Sequence, residues 1–337
     1  SMYPFVMQEN RFPTKHQFSV EKLTINQLEK FLIDHTLISL CIINTEKPVF
    51  PVKHENRTIF PVGRFQTVLS TPEIRYALSH NMIEKIGKTS IYSQDNIFSD
   101  YVDFFHNEKK KYSREKNKIY RTLTKLFLNS LYGKFGQRGY EQSIELDHED
   151  IVSRREKVID YETGKILWIT SLMNSLIIDS AGEPPPHCFV AIASHVTAYA
   201  RIYLWELIEE AGIENVFYCD TDSIFTNPLG ENNLKNYISP EKLGFLNLEL
   251  TPKKAIIYGL KDYILDDKIA RKGVRENADQ LTPNSWEQDQ FPSMKTSIRE
   301  GTIDKVVLKK ITKTLTRKYT KGIVTSTGRI LPFRLVM

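Results

Sequence analysis

The sequence predicts a mixed α+β fold, and three observations support this prediction. Two apolar, β-prone segments flank a short polar turn at residues 216–225, which is the pattern of a β-hairpin. Residues 101–135 lack proline and contain no glycine before Gly133, which favours a long helix or a helix pair. Apolar segments at 38–44 and 58–69 have the length of strands.

Composition limits the possible classes of protein. The 337 residues are 41% apolar and 26% charged, which is typical of a globular chain with two or three packed subdomains. No apolar run approaches the ~20 residues that span a bilayer, and we find no signal peptide, so we expect no membrane association. Three cysteines without a CxxC pair support neither a disulfide framework nor a zinc site and indicate a reducing compartment; they are Cys41, Cys188 and Cys219.

The remaining elements are predicted in chain order. Strands at 38–44, 58–62 and 65–69 precede an amphipathic helix at 73–86. The helical segment 101–135 follows, and then an excursion at about 137–186 that ends in three prolines. An apolar stretch at 188–210 has helical spacing and is expected to pack beneath the hairpin.

Two carboxylates lie one residue apart at the tip of the predicted hairpin. Asp220 and Asp222 lie within a few ångströms of each other there, and like charges at that distance require a neutralising cation. Hard oxygen ligands without histidine or cysteine alongside suit Mg²⁺ or Mn²⁺. The alternative for an isolated Asp-x-Asp is an ordinary solvent-exposed turn.

Positive charge is concentrated in residues 108–138. This segment holds ten lysines and arginines against two glutamates. On a continuous helix, six side chains share one face while Ile119, Leu123 and Leu126 fall on another; the six are Arg114, Lys118, Arg121, Lys125, Asn129 and Tyr132. Cations that lead to an amide and a phenol suit a triphosphate followed by a sugar and base, whereas the alternative is a solvated basic face.

The tail is also basic, and periodicity does not settle its structure. Residues 315–322 alternate as in a strand, but the cations Lys305, Lys309, Lys313, Arg317 and Lys321 recur every four residues as on a helix. Either structure offers phosphate contacts without reading bases. A generic solvated surface is the alternative.

Four motifs resemble those of family B DNA polymerases, in the order of that family. Lys125-Leu-Phe-Leu-Asn129-Ser130-Leu-Tyr132-Gly133 resembles the K-x-x-x-N-S-x-Y-G fingers motif, and Tyr218-Cys-Asp220-Thr-Asp222-Ser223 resembles the palm motif Y-x-D-T-D-S. Ser1-Met2-Tyr3-Pro4 is similar to the end of D-x-x-S-L-Y-P, and Lys261-Asp262-Tyr263 is similar to K-x-Y. The segment Ser70-Thr71-Pro72-Glu73-Ile74 indicates the protein-primed branch of phages, adenoviruses and linear plasmids.

The resemblance implies a right-hand polymerase with an antiparallel palm sheet, helical fingers and a small thumb. The implied ranges are palm (1–7), an insertion that contacts the priming protein (8–100), fingers (101–136), a second insertion or strand-displacement region (137–187), palm (188–265) and thumb (266–337). The expected setting is intracellular, whether cytoplasmic, mitochondrial or viral. Host, priming protein and oligomeric state are not specified by the sequence.

The resemblance also implies a role for each site residue. A primer 3′-hydroxyl, or a hydroxyl of the priming protein, attacks a dNTP with two Mg²⁺ or Mn²⁺ ions held by Asp220 and Asp222. Tyr3 lies under the deoxyribose. Arg121 and Lys125 hold the phosphates, Asn129 and Tyr132 line the nucleotide pocket, and Lys261 and Tyr263 hold the primer end of the primer-template DNA.

One departure from the family pattern affects the expected activity. The Asp of D-x-x-S-L-Y-P would precede Ser1, and no exonuclease region is present, so we expect a fragment of a larger polypeptide that polymerises negligibly on its own. Three alternatives remain: a non-catalytic DNA-binding remnant, an RNA-primed family B polymerase, and a reverse transcriptase. The acids of a reverse transcriptase would be adjacent, whereas Thr221 intervenes here. The ~100-residue interval before the fingers disfavours the RNA-primed enzymes.

Overall fold

The computed structural model describes residues 2–146, 152–172, 174–303 and 305–337, and it confirms the predicted α+β class. Ser1, part of the first motif, lies outside the described residues. The chain divides into two compact units. The first comprises Ser1–Gly136, Phe189–Pro252 and Tyr319–Met337, and the second comprises Gln137–Cys188 and Lys253–Lys318.

The first unit combines one large sheet with a layer of helices. Its elements are α1 (Met2–Glu9), β1 (Phe12–Val20), α2 (Ile25–Asp34), β2 (His35–Thr45), β3 (Val52–His54), β4 (Arg57–Ile59), β5 (Val62–Ser70), α3 (Thr71–Ser79), β6 (Ile83–Asp95), α4 (Ser99–Arg114), α5 (Lys118–Phe135), α6 (Val190–Ala211), β11 (Val216–Asp220), β12 (Ser223–Thr226), α7 (Pro228–Asn233), β19 (Ile323–Val324), β20 (Ile330–Leu331) and β21 (Arg334–Leu335).

The large sheet has the strand order β1-β6-β2-β5-β21. Its neighbours are antiparallel except β21, which runs parallel to β5 and pairs Arg334 with Val62. The predicted strands 38–44 and 65–69 lie within β2 and β5. The predicted strand 58–62 is wrong as one element, because its residues divide between β4 and β5.

The predicted helix at 73–86 is too long. Helix α3 begins at a capping box in which Glu73 returns to the backbone N–H of Ser70, and it ends at Ser79. Asn81 adopts a left-handed backbone with φ 54°, a conformation that terminates helices. The apolar residues that follow, among them Ile83 and Ile86, belong to β6 and pair with β2.

The long helical segment is a helix pair. Helices α4 and α5 are separated at Lys116, whose φ is 56°, and Asn117 then caps α5 by accepting the N–H of Tyr120 at 3.3 Å. Arg114 belongs to α4, so the predicted six-residue face is wrong at its first member. The other five members share α5.

Helix α6 joins the two layers of the first unit. Its residues Ile202, Trp205 and Ile208 belong to the core cluster of the sheet, and Ile192 and Val196 belong to the cluster of α1, α4 and α5. Large apolar side chains buried in this way stabilise the fold by about 1.5–3 kcal/mol each. The apolar residues of α5 that were predicted to share a face lie on one continuous helix, and they are exposed; they are Ile119, Leu123 and Leu126.

The second unit consists of three small sheets and a short helix. Its elements are β7 (Glu141–Glu145), β8 (Arg154–Ile159), β9 (Ile166–Leu172), β10 (Ser175–Ser180), β13 (Ala255–Gly259), β14 (Asp262–Leu265), β15 (Lys268–Arg271), β16 (Asp279–Thr282), β17 (Ser285–Gln290), α8 (Met294–Arg299) and β18 (Lys309–Thr314). The sheets have the orders β7-β10-β9-β8, β13-β14-β15 and β16-β17-β18.

The structure decides the alternatives for the basic tail. Residues Lys309–Thr314 form β18, so the helical alternative is wrong, and the strand lies one segment earlier than residues 315–322. Strand β18 pairs with β17, and the buried side chain of Trp286 fixes the position of β17 in the second unit.

None of the helices in the described ranges combines the length and the apolar composition of a membrane-spanning segment.

Candidate active site

The predicted carboxylate hairpin is present. Strands β11 and β12 pair antiparallel, with Asp220 opposite Ser223. Thr221 takes a left-handed backbone with φ 57°, and the N–H of Asp222 donates to the carbonyl of Asp220 at 2.6 Å. The Ser223 hydroxyl donates to the same carbonyl at 3.1 Å. This tight turn places both carboxylates at one end of the hairpin.

The carboxylate oxygens of Asp220 and Asp222 are of the ligand type that a hard divalent cation prefers. Asp222 is exposed and Asp220 is half-buried, so water and phosphate oxygens can complete a coordination sphere. The Thr221 hydroxyl donates to Asp220 Oδ1 at 3.1 Å. No group of three or more acidic, histidine or cysteine side chains gathers as a metal cluster within the part of the chain that the structure describes.

Tyr3 is the point at which three predicted motifs meet. Its ring stacks on Tyr132 of α5, with centroids 4.5 Å apart and an interplanar angle of 28°. Burial raises the pKa of Tyr3 to about 12, assisted by its hydrogen bond with Tyr132 and by the negative charge of Asp222. The positive charge of Arg201 acts in the opposite direction. The first, fingers and palm motifs therefore converge on one phenol.

A cluster of cations lies on the two helices α4 and α5. Arg121 and Lys125 project from α5 and are exposed, and the described residues provide no carboxylate within ion-pair distance of either. Lys109 of α4 faces them. Burial, followed by the charges of Lys125 and Arg121, lowers the pKa of Lys109. Cations held together in this way favour a bound polyanion.

The other predicted residue of α5 completes this side of the site. The Asn129 amide donates to the carbonyl of Lys125 at 2.8 Å, which holds the side chain along the helix. Asn129 and Tyr132 are both half-buried, so both lie at the boundary between the helical core and the open site.

Sequence reasoning missed Lys109 as a member of the cluster and Arg201 as a neighbour of Tyr3. The Arg201 guanidinium pairs with the buried carboxylate of Glu73 at the start of α3. The only signals were the basic run that contains Lys109 and the segment Ser70–Ile74 that contains Glu73. Neither signal indicates which side chains approach each other across long sequence separations.

A glycine beside α1 was also missed. Gly244 has φ 83°, and a Cβ added to it would lie 2.3 Å from the Phe5 ring. The Tyr203 hydroxyl donates to the carbonyl of Gly244 at 2.9 Å and its ring lies 4.9 Å from that of Phe5. Only a glycine fits this close approach to the helix that carries Tyr3.

The predicted primer-holding residues belong to the second unit. Lys261 occupies the turn of the β13–β14 hairpin with φ 55°, and Tyr263 pairs with Ile257. Lys261 is exposed and Tyr263 is half-buried. Within the first unit the structure brings Tyr3 against Tyr132 and within electrostatic range of Asp222. Lys261 and Tyr263 belong to a hairpin of the second unit.

Comparison with known proteins identifies relatives over most of the chain. A family model described as DNA polymerase type B, organellar and viral, matches residues 1–210. A probable DNA polymerase of Neurospora intermedia is 26% identical over 292 residues, which cover 80% of this chain and 28% of the relative. The DNA-directed DNA polymerase of Enterobacteria phage PRD1 is 28% identical and is covered over 47% of its length.

The fold has a solved counterpart. Phi29 DNA polymerase complexed with primer-template DNA matches with a TM-score of 0.54 at 20% identity, covering 78% of this chain and 43% of that polymerase. Another crystal form of Phi29 DNA polymerase gives a TM-score of 0.55 at 19% identity. The chain thus has a DNA polymerase fold, and it spans less than half the length of each of these relatives.

Proposed function

The chain belongs to the organellar and viral type B DNA polymerases, and we propose that it catalyses template-directed nucleotidyl transfer within a DNA polymerase. One observation carries this proposal: Tyr3 stacks on Tyr132 of the fingers motif and lies within electrostatic range of Asp222 of the palm motif. The cation cluster of Lys109, Arg121 and Lys125 has the charge that a triphosphate requires. The family membership explains why these groups converge.

In the proposed reaction, a primer 3′-hydroxyl attacks the α-phosphorus of a dNTP, so that its oxygen forms the new phosphodiester bond and its proton passes to solvent. The bond from this phosphorus to the β-phosphate oxygen breaks, and pyrophosphate leaves. Asp220 and Asp222 would hold divalent cations, two ions of Mg²⁺ or Mn²⁺, which supply neutralisation of the charge on the attacking and leaving oxygens. Protein groups supply the positioning of both reactants.

The cation cluster would bind the β- and γ-phosphates. The planar fork of Arg121 can grip two phosphate oxygens, while Lys109 and Lys125 act as point charges. Because negative charge develops on the departing pyrophosphate, the same cations stabilise the transition state. Burial is the largest cause of the lowered pKa of Lys109, and a bound triphosphate would offset the second cause, which is repulsion from Lys125 and Arg121.

The aromatic pair would select the nucleotide. Tyr3 would lie under the deoxyribose and exclude a 2′-hydroxyl by its bulk, and Asn129 and Tyr132 would line the pocket of the nascent base pair. Lys261 and Tyr263 would fix the primer terminus. A hydroxyl of a priming protein is the second candidate for the attacking group, and we propose that residues 8–100 contact that protein. The ranges of the fingers, palm and thumb given by the resemblance remain proposals.

The test is binding of a fluorescent dNTP in the presence of Mn²⁺ and primer-template DNA, so that the readout does not depend on turnover. We expect Lys125→Ala, Lys109→Ala and Asp222→Asn each to weaken nucleotide binding. Lys134→Ala is the matched control, because Lys134 lies nine residues beyond Lys125 on the same helix and therefore on the opposite face.

We expect the control variant to bind the nucleotide like the unmodified chain. Equal losses in Lys125→Ala and Lys134→Ala would reduce the cluster to a generic basic surface. Unchanged binding in Asp222→Asn would remove the proposed cation site.

A further inference from the structure

The middle residue of the Lys261-Asp262-Tyr263 motif is buried, although its neighbours in sequence face solvent to a greater extent. Asp262 retains 6% of its accessible surface. Its carboxylate accepts two hydrogen bonds from Arg317, from Nε to Oδ2 at 2.9 Å and from Nη2 to Oδ1 at 3.4 Å. A fork-to-carboxylate pair of this kind fixes the relative orientation of the two groups.

The guanidinium of Arg317 lies over two aromatic rings. Its central carbon lies 3.6 Å from the centroid of the Tyr258 ring and 5.8 Å from that of Trp286. The remaining nitrogen, Nη1, donates to the Asn284 amide oxygen at 3.1 Å. Each of the three guanidinium nitrogens of Arg317 therefore donates one hydrogen bond within the second unit.

The backbone around the ion pair is held in an unfavourable conformation. Lys261 and Arg317 both have positive φ values, 55° and 49°, in the region that side chains with a Cβ disfavour. Such conformations persist where surrounding contacts determine them. At the other end of the hairpin, Asp266 accepts the N–H groups of Lys253 and Lys254, both at 2.9 Å. Both ends of β14 are therefore anchored.

We propose that the Asp262–Arg317 ion pair, clamped by Tyr258 and Trp286, positions Lys261 and Tyr263 for the primer terminus. The proposal rests on the proposed function, and it adds Asp262 and Arg317 as positioning residues. Successive side chains of a strand point to opposite faces. Burial of Asp262 thus fixes the face on which Tyr263 lies and sets the turn that carries Lys261.

Stability alone does not account for this pair. Burial of two charges is costly, and apolar side chains of similar volume often stabilise a protein as well or better. A charged, bidentate pair instead specifies one geometry. It also links residue 317, near the end of the second unit, to the hairpin 55 residues earlier.

The test compares binding of the full chain to two DNA molecules of equal length, a duplex with a recessed 3′ end and a closed dumbbell without ends. The variants are Asp262→Asn, Arg317→Met and the double variant. We expect each to lose the preference for the recessed end by on the order of tenfold, equivalent to about 1.4 kcal/mol. We expect the double variant to lose no more than either single variant, because the residues act as a unit.

Two features separate positioning from direct DNA contact. Removal of the Asp262 charge would strengthen DNA binding on electrostatic grounds alone, whereas the proposal predicts a weaker grip on the primer end. Lys313→Met is the control, because Lys313 is an exposed cation of β18 without a carboxylate partner among the described residues. We expect this control to reduce the salt dependence of binding and to keep the preference.

The outcomes are distinguishable. The positioning role would be overturned if Asp262→Asn and Arg317→Met kept the preference for the recessed end. It would also be overturned if the salt dependence of DNA binding fell in Arg317→Met as it does in Lys313→Met. No preference in the unmodified chain would overturn the proposed function itself. If Arg317→Met does not fold, Arg317→Lys replaces it. This variant keeps the charge but loses the planar group that lies over the rings, so we expect its preference for the recessed end to fall between those of the unmodified chain and of Asp262→Asn. An unchanged preference would overturn the positioning role.

Discussion

At the scale of the residue, the Tyr3 ring is the group whose bulk is expected to decide between deoxyribose and ribose. We expect Tyr3→Val to raise binding of a ribonucleoside triphosphate relative to the matching dNTP, because the ring that would meet the 2′-hydroxyl is removed. Tyr3→Phe keeps the ring and should keep the discrimination. The measurement is the ratio of the two affinities with primer-template DNA, and an unchanged ratio in Tyr3→Val would contradict this role.

Gly244 provides a residue-scale test of packing beside the site. We expect Gly244→Ala to lower the free energy of unfolding by more than Gly328→Ala, measured by urea denaturation. Both glycines have φ near 83°, so both changes share a backbone cost of about 1–2 kcal/mol. Only the Gly244 Cβ meets a neighbour, the Phe5 ring, while nothing lies within 4 Å of the Gly328 Cβ. Equal losses would show that the loop moves away from α1 freely.

At the scale of the element, His195 fastens α6 to the start of α3. It is fully buried, and its ring nitrogens lie 2.7 Å from the carbonyl of Ala191 and 3.0 Å from the Thr71 hydroxyl. Burial lowers the pKa of His195 to about 4. The histidine therefore stays neutral in the folded chain at pH values where the unfolded chain binds a proton.

This difference in proton binding predicts a pH dependence of stability. The contribution of neutral His195 is complete above pH 6.5 and is lost as the pH falls toward 4, a loss of about 3 kcal/mol. We expect His195→Gln, which cannot titrate there, to show a shallower decline of the free energy of unfolding over this range. Parallel declines for both proteins would exclude the histidine as the cause.

Elements with a strong local signal were predictable from the sequence. The hairpin around Asp220 and Asp222 was predicted correctly because the turn and its flanking apolar segments are contiguous. The end of α3 was missed because it depends on the backbone conformation of Asn81 and on pairing of the next residues with a distant strand. The exposure of Leu123 and Leu126 could not be predicted from periodicity. Periodicity indicates which residues share a helix face, but it does not indicate whether other residues cover that face.

At the scale of the whole molecule, the two units differ in how much apolar surface they bury. The core clusters of the described residues all belong to the first unit, whereas Leu265, Trp286 and Ile298 are the buried hydrophobic residues described in the second. A smaller core supports less stability. We therefore expect the second unit to unfold at a lower denaturant concentration than the first.

Tryptophan fluorescence can measure which of the two units unfolds first. Trp205 belongs to the first unit, and Trp168 and Trp286 belong to the second. In variants that keep only Trp205 or only Trp286, we expect the Trp286 fluorescence transition to precede that of Trp205 in urea. Coincident transitions would indicate one cooperative unit.

The candidate site was predictable in its motifs and not in its cross-chain contacts. Residues such as Lys125 and Asp222 lie in short contiguous patterns that the sequence displays. The approach of Lys109 to α5 and the pairing of Asp262 with Arg317 depend on tertiary packing, for which a single sequence carries no direct signal.

The proposed function requires that the chain bind a nucleotide selected by the template base, and formation of a ternary complex with DNA and dNTP measures this. A primer ended by a dideoxynucleotide prevents chemistry, so retention of the DNA at raised salt reports nucleotide binding alone. We predict that, with divalent cation, only the dNTP complementary to the next template base increases retention, and that changing this base changes which dNTP does so. Equal effects of all four dNTPs, or no effect of any, would show that the chain does not select a nucleotide by the template base.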